Sequence, residues 1–190
     1  MMVEYRHPHT IEEAQQRGIL VATVQSKDGI QYAVTERHYL PPSKMISEEH
    51  DYDDFVIYYM HKIISLGDDK VRHDDVLDPM GLIEFGLKEE RWQGPKEAMI
   101  DYSELEPNYR GKGLGLLLYK TAINDLIENR YRVLSDYNRS PEAERVWQSL
   151  LRDNPERIRT EKVYGGASKH FVATGFVGRR VRVRSYRRRR

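Results

Sequence analysis

The stretch Leu105-Glu106-Pro107-Asn108-Tyr109-Arg110-Gly111-Lys112-Gly113-Leu114-Gly115 decides how the rest of the chain is read. It follows KEAMIDYSEL, a run with β propensity, and precedes a segment in which Leu114, Leu117, Leu118, Ala122, Leu126 and Ile127 recur at helical spacing. A proline, two basic residues and three glycines therefore lie at a strand-to-helix turn. Glycine lets the backbone take positive φ and approach a ligand closely. The first helical turn leaves N–H groups unpaired, and the helix dipole adds partial positive charge there. With the full charges of Arg110 and Lys112 beside it, the segment reads as an anion cradle suited to a pyrophosphate.

Spacing excludes two common phosphate loops. A P-loop needs G-x-x-x-x-G-K-[ST], and neither that spacing nor the magnesium-binding hydroxyl is present. The dinucleotide fingerprint G-x-G-x-x-G also fails, because leucine stands where the last glycine belongs. The spelling does match [RQ]-x-x-G-x-[GA] over Arg110 to Gly115, and in this the chain resembles the GNAT superfamily of acyl-CoA N-acyltransferases, best over residues 80 to 151.

The resemblance implies an α/β (α+β) fold, a mixed and mostly antiparallel sheet flanked by helices. Its two parallel strands would splay at the acyl-CoA site, between the end of KEAMIDYSEL and the start of YRVLSDY. It implies acetyl-CoA as co-substrate and an amine acceptor, either a protein lysine or N-terminus or a small amine, that attacks the thioester directly as in other N-acetyltransferases. Leu105, Arg110, Gly111, Lys112, Gly113, Leu114 and Gly115 would hold the coenzyme, with Ser140. A carboxylate on the strand before the loop would serve as general base, which makes Asp101 and Glu104 candidates, together with Glu84 on the neighbouring strand. Asp101 and Glu104 differ by an odd number, so they face opposite sides unless a bulge intervenes.

Two departures bear on catalysis. The family pattern N-x-x-A-x-x-[LF]-Y, registered on Ala143 and Val146, places Ser140 at the asparagine and Trp147 at the tyrosine that protonates the leaving thiolate. Indole donates a hydrogen bond but supplies no proton at useful cost, so that task falls to water or to Tyr137 or Tyr164. The usual Gly-Phe after this helix is replaced by LLRDNPER. The spelling from Ser135 to Leu150, S-D-x-x-x-S-P and then W-x-x-L, is similar to that of bacteriophage-encoded GNAT-like proteins. The competing class is thus a non-catalytic phage structural or host-interacting protein, with a virion location.

Outside this region, VEYR reads as a short strand, and Thr10 with Glu13 forms a capping box for a helix ending before Gly18. GILVATV and IQYAVTERHY read as strands joined at Asp28-Gly29. Residues 41 to 54 read as an exposed loop, and FVIYYMHKIIS as a strand covered on both faces. After a polar loop to Pro79, GLIEFGLKEERW and KEAMIDYSEL read as antiparallel strands turning at Gln93-Gly94-Pro95. YRVLSDY is a strand, Pro141 opens the next helix, and KHFVATGFV and VRVRSY are the last strands.

The 190 residues fit one core, and the absence of cysteine removes disulfides, thiolate metal sites and thiol nucleophiles. The expected location is the cytoplasm, since no apolar stretch has membrane-spanning length and MMVEYRHPHT lacks a signal-peptide core. The acidic-histidine clusters HDYDD and HDD match no metal motif, so no metal is expected. The net charge of +1 hides an asymmetry: residues 179 to 190 hold eight arginines and no acid, against 23 basic and 30 acidic residues elsewhere. The organisation expected is a domain over 1–178 and an arginine-rich tail over 179–190. Nucleic acid or an acidic protein surface would be partner to Arg179–Arg190. A solvated edge strand with charges that block aggregation is the plainer reading, and no membrane is expected as partner. A homo-oligomer is the remaining partner class.

Overall fold

Successive side chains along a strand point to opposite faces, so every strand turns one set of side chains toward each side of a single sheet. The computed structural model describes residues 7–39, 52, 54–64, 76–89, 96–162 and 169–177. Its strands are β1 (Leu20–Gln25), β2 (Gln31–Tyr39), β3 (Asp54–Ile64), β4 (Val76–Lys88), β5 (Glu97–Leu105), β6 (Arg132–Leu134), β7 (Ile158–Lys162) and β8 (Lys169–Ala173). They form one sheet in the order β1-β2-β3-β4-β5-β6-β8-β7, antiparallel everywhere except between β5 and β6. The mixed, mostly antiparallel sheet flanked by helices is the architecture expected from the sequence.

Helices α2 (Leu114–Glu128) and α3 (Pro141–Asp153) cover one side of this sheet, and α1 (Ile11–Gln16) lies on the other. α2 buries Leu114, Leu118, Ala122, Ile123 and Leu126 against Val56, Tyr58, Ile83, Phe85, Ala98 and Ile100. Each large aliphatic side chain so buried contributes roughly 1.5–3 kcal/mol. α1 buries Ile11 and Ala14 against Ala33, Ile63 and Leu77, whose strand parity is opposite. Its start is capped as the spelling indicates, with Thr10 Oγ1 accepting from Glu13 N–H at 3.1 Å and Glu13 accepting from His9 N–H at 2.7 Å.

β3 is the strand covered on both faces: Val56, Tyr58 and Met60 are buried toward α2, and Tyr59, His61 and Ile63 are buried on the far side. The strand read over KHFVATGFV stops at Ala173, and other boundaries differ from the sequence reading as well. β4 begins at Val76 rather than after Pro79, because Met80 is a bulged residue and the proline, which has no N–H to donate, sits beside it. β6 is only Arg132–Leu134, shorter than YRVLSDY. IRTEK forms β7, a strand not anticipated, since LLRDNPER lacks the family's usual lead into it. The readings of VEYR, residues 41–51, the 65–75 loop, Gln93-Gly94-Pro95, Tyr164, VRVRSY and the arginine tail lie outside the described residues. Among the described residues no helix is long and apolar enough to cross a membrane.

Candidate active site

The cradle forms where β5 ends. After Leu105 the chain makes one 3-10 turn over Pro107–Tyr109 and reaches α2 through Gly111 and Gly113, both at φ +76°. In the left-handed region a side chain is strained, and glycine is the residue that takes that conformation without strain. A Cβ built at either glycine would meet no atom within 4 Å, so the outer face of the turn is open. Gly113 is the N-cap of α2 and supplies no side-chain oxygen, so the first-turn N–H groups keep no capping acceptor. An open, uncapped, positively polarised turn fits the pyrophosphate anticipated from the spelling.

The flanking residues divide into those that face outward and those that build the turn. Arg110 folds back, donating from Nε to the Leu105 carbonyl at 2.8 Å, with its guanidinium 3.7 Å from Glu104. Lys112 lies with its ammonium 5.8 Å from the Tyr109 ring centre and is exposed. Leu114 is buried in the core and can offer a ligand only its backbone, whereas half-buried Leu105 packs beneath Gly115. Ser140 is the N-cap of α3, where its Oγ accepts from Ala143 N–H at 3.2 Å.

Beside the cradle the sheet parts. Parallel register joins only Glu97 to Arg132, Ala98 to Val133 and Met99 to Leu134. Beyond Met99, β5 runs on to Leu105 while the segment after Leu134 turns away from it, with the Ser135 N–H donating to the Phe171 carbonyl of β8 at 2.9 Å. The gap therefore opens between the ends of both segments, and involves the end of YRVLSDY rather than its start. Arg139 holds the departing loop: it donates to Ser135 Oγ at 2.9 Å, to the Asp136 carbonyl, and to Glu144 at 2.7 Å, and its guanidinium carbon is 5.0 Å from the Phe171 ring centre.

The three carboxylates share one side of the sheet because β5 is bulged. Glu84 pairs with Tyr102 and Phe85 with Ile100, which leaves Asp101 as the extra residue. Register turns Glu84 and Glu104 to the side away from α2. The charge of Asp101 also acts on that side, on Glu84, Tyr39 and Tyr52. The expected opposition of Asp101 and Glu104 is thus relieved by the bulge. Burial raises the Glu84 carboxyl above its ordinary range, a hydrogen bond from the Tyr39 hydroxyl works against that rise, and Asp101 adds to it. Glu104 is exposed, accepting from the Tyr102 hydroxyl at 2.6 Å.

Tyr39 and Tyr52 were not singled out by sequence reasoning, and only the pairing of β2, β3 and β4 brings Tyr39 to Glu84. Tyr52 lies across Gly86, where any side chain would run into its ring. On the helical side, Trp147 is fully buried, stacked 5.6 Å from Phe171 and edge-on to Tyr119 at 6.2 Å. Tyr137 rests against His170 at 4.2 Å. Among the described residues no group of three or more acidic, histidine or cysteine side chains could hold a metal ion.

The model of the Acetyltransferase (GNAT) family matches residues 32–151. No curated protein matches the chain. Among solved structures, the NatC complex bound to Gag peptide and CoA is similar at 17% identity over 61% of this chain and 67% of that one, with a TM-score of 0.39. A cAMP-binding acyltransferase from Mycobacterium smegmatis is similar at 16% identity over 86% of this chain, with a TM-score of 0.48. This chain spans about half, 50%, of that protein's length. Arabidopsis thaliana Naa50, in complex with the bisubstrate analogue CoA-Ac-MVNAL, is similar at 13% identity over 63% of this chain and 72% of that one, with a TM-score of 0.37.

Proposed function

Because this chain belongs to the GNAT family of acetyltransferases, we propose that it transfers an acetyl group from acetyl-CoA to an amine by direct attack. The observation that carries the reading is the uncapped start of α2, with left-handed Gly111 and Gly113, placed beside two strands that part after Met99. Bound there, the co-substrate supplies an activated thioester. The backbone N–H groups from Gly113 to Leu116 hold its pyrophosphate, and Lys112 adds positive charge at the rim. Arg110 acts on the turn itself, bracing it against the end of β5.

On the opposite side of the sheet Glu84 takes the proton that the amine loses on attack. Burial raises the proton affinity of its half-buried carboxyl, the direction that strengthens a general base, and Asp101 beside it favours a cationic amine. Glu104, tied to Tyr102 and close to Arg110, belongs to the wall of the gap. By composition, with eight arginines and no acid, residues 179–190 are assigned to a tail outside this reaction. No observation among the described residues favours the non-catalytic scaffold.

The test is calorimetry of the full chain with acetyl-CoA at moderate salt. Saturable binding is expected, reduced at least about tenfold by Gly113→Asp, which sets a carboxylate against the pyrophosphate while adding roughly 1 kcal/mol of backbone strain. Truncation after Gly178 should leave the affinity unchanged. Equal affinity in the Gly113→Asp variant would remove the cradle from the mechanism.

A further inference from the structure

Amide formation from a thioester releases a thiolate, and the thiolate needs a proton. On the α2–α3 side of the sheet, Trp147 fills the core with an indole whose Nε1 has no hydrogen-bond partner among the described residues. Edge-on to that indole lies Tyr119, whose hydroxyl shares a 2.9 Å hydrogen bond with Ser103 Oγ. Ser103 stands on β5 beyond Met99, the last residue paired with β6, so it borders the gap. Asp136, on the far side of the gap, acts electrostatically on Tyr119. The phenol therefore lies between the two parting segments, on the side of the sheet from which α2 presents the cradle.

We infer that Tyr119 is the group that gives its proton to the departing sulfur, with Ser103 Oγ as its relay to solvent. This rests on the acetyl transfer proposed above. The amine nitrogen forms its bond to the carbonyl carbon, its proton passes to Glu84, and the carbon–sulfur bond breaks with the electron pair left on sulfur. Tyr119 then gives its hydroxyl proton to that sulfur and recovers one from solvent through Ser103, while Glu84 releases its proton to solvent. Burial raises the Tyr119 hydroxyl above its ordinary range, the Ser103 bond opposes this, and Asp136 adds to it, so the phenol stays protonated until the thiolate forms.

The test needs no acceptor amine. The full chain is titrated by calorimetry with coenzyme A and with desulfo-coenzyme A, in which hydrogen replaces the thiol, at about pH 10, where the alkyl thiol of coenzyme A, less acidic than that of cysteine, is substantially ionised. A hydrogen bond from Tyr119 to the thiolate predicts that coenzyme A binds about tenfold tighter than the desulfo form. In Tyr119→Phe this preference disappears, while the affinity for desulfo-coenzyme A, which reports on fold and cradle, stays within about twofold of the parent. Equal affinity of the parent for both compounds, or a preference kept in Tyr119→Phe, overturns the role of Tyr119 and leaves the cradle standing. If the parent binds neither compound, the acetyl-CoA reading falls and Tyr119 with it.

Discussion

Glu84 stands under two opposed influences, and both can be varied one residue at a time. Burial and Asp101 raise its proton affinity, and the hydroxyl of Tyr39, bonded to the charged form, lowers it. A base must be ionised to act, so the transfer rate is expected to fall as pH drops through the raised value. Glu84→Gln should lower kcat by about 10²-fold or more with little change in the KM for acetyl-CoA. Tyr39→Phe removes the bond that favours the carboxylate, so the acid limb of the pH–rate profile should move to higher pH. Both are read by following thiol release with the best amine acceptor; an unmoved acid limb in Tyr39→Phe would take Glu84 out of the mechanism. Three candidate carboxylates were legible from their nearness to the motif. Their ranking was not, because a bulge at Asp101 and a tyrosine 45 residues upstream in β2 decide it.

At the scale of elements, α3 shows how one residue can carry two readings. The family pattern makes Ser140 a coenzyme contact, whereas the helix start uses its hydroxyl as a cap. Ser140→Ala should lower stability by about 1 kcal/mol in urea unfolding. Ser140→Gly should lower it by only a few tenths. An acetyl-CoA affinity equal in all three proteins would assign Ser140 to the cap alone, and a loss common to both variants would assign it to the coenzyme. Helix positions were well read from spacing, since 3.6-residue periodicity and a proline at the first turn are local signals. The extent of β6 and the existence of β7 were not, because strand ends depend on partners distant in sequence: Val133 and Leu134 pair with β8, and β7 is paired along its length with β8.

For the whole molecule, pH dependence of stability is a further consequence of burial. Asp125 on α2 accepts from the Tyr58 hydroxyl of β3 at 2.8 Å, and burial, reinforced by Glu36, raises its carboxyl to about 6 against an ordinary 3.8. The fold thus favours its neutral form: this contribution is fully present below about pH 3.8 and is lost as pH rises through about 6. Asp125→Asn keeps an acceptor for Tyr58 without the charge. It should stabilise the protein by on the order of 1–2 kcal/mol at pH 7.5, with the gain vanishing below about pH 4, in urea unfolding across that range. No gain at pH 7.5 would mean that the carboxylate is solvated.

By itself the sequence determined the left-handed glycine turn, the helix that follows it and the family, because these rest on contiguous residues whose spacing and φ preferences are local. The family match begins at residue 32, well before residues 80 to 151, whose spelling carries the resemblance. Only the tertiary structure decided which carboxylate is half-buried beneath a tyrosine, where β5 parts from β6, and that Tyr119 and Ser103 meet at the gap. Those depend on strand register and on the bulge, and both are set by which faces of distant segments can be buried together.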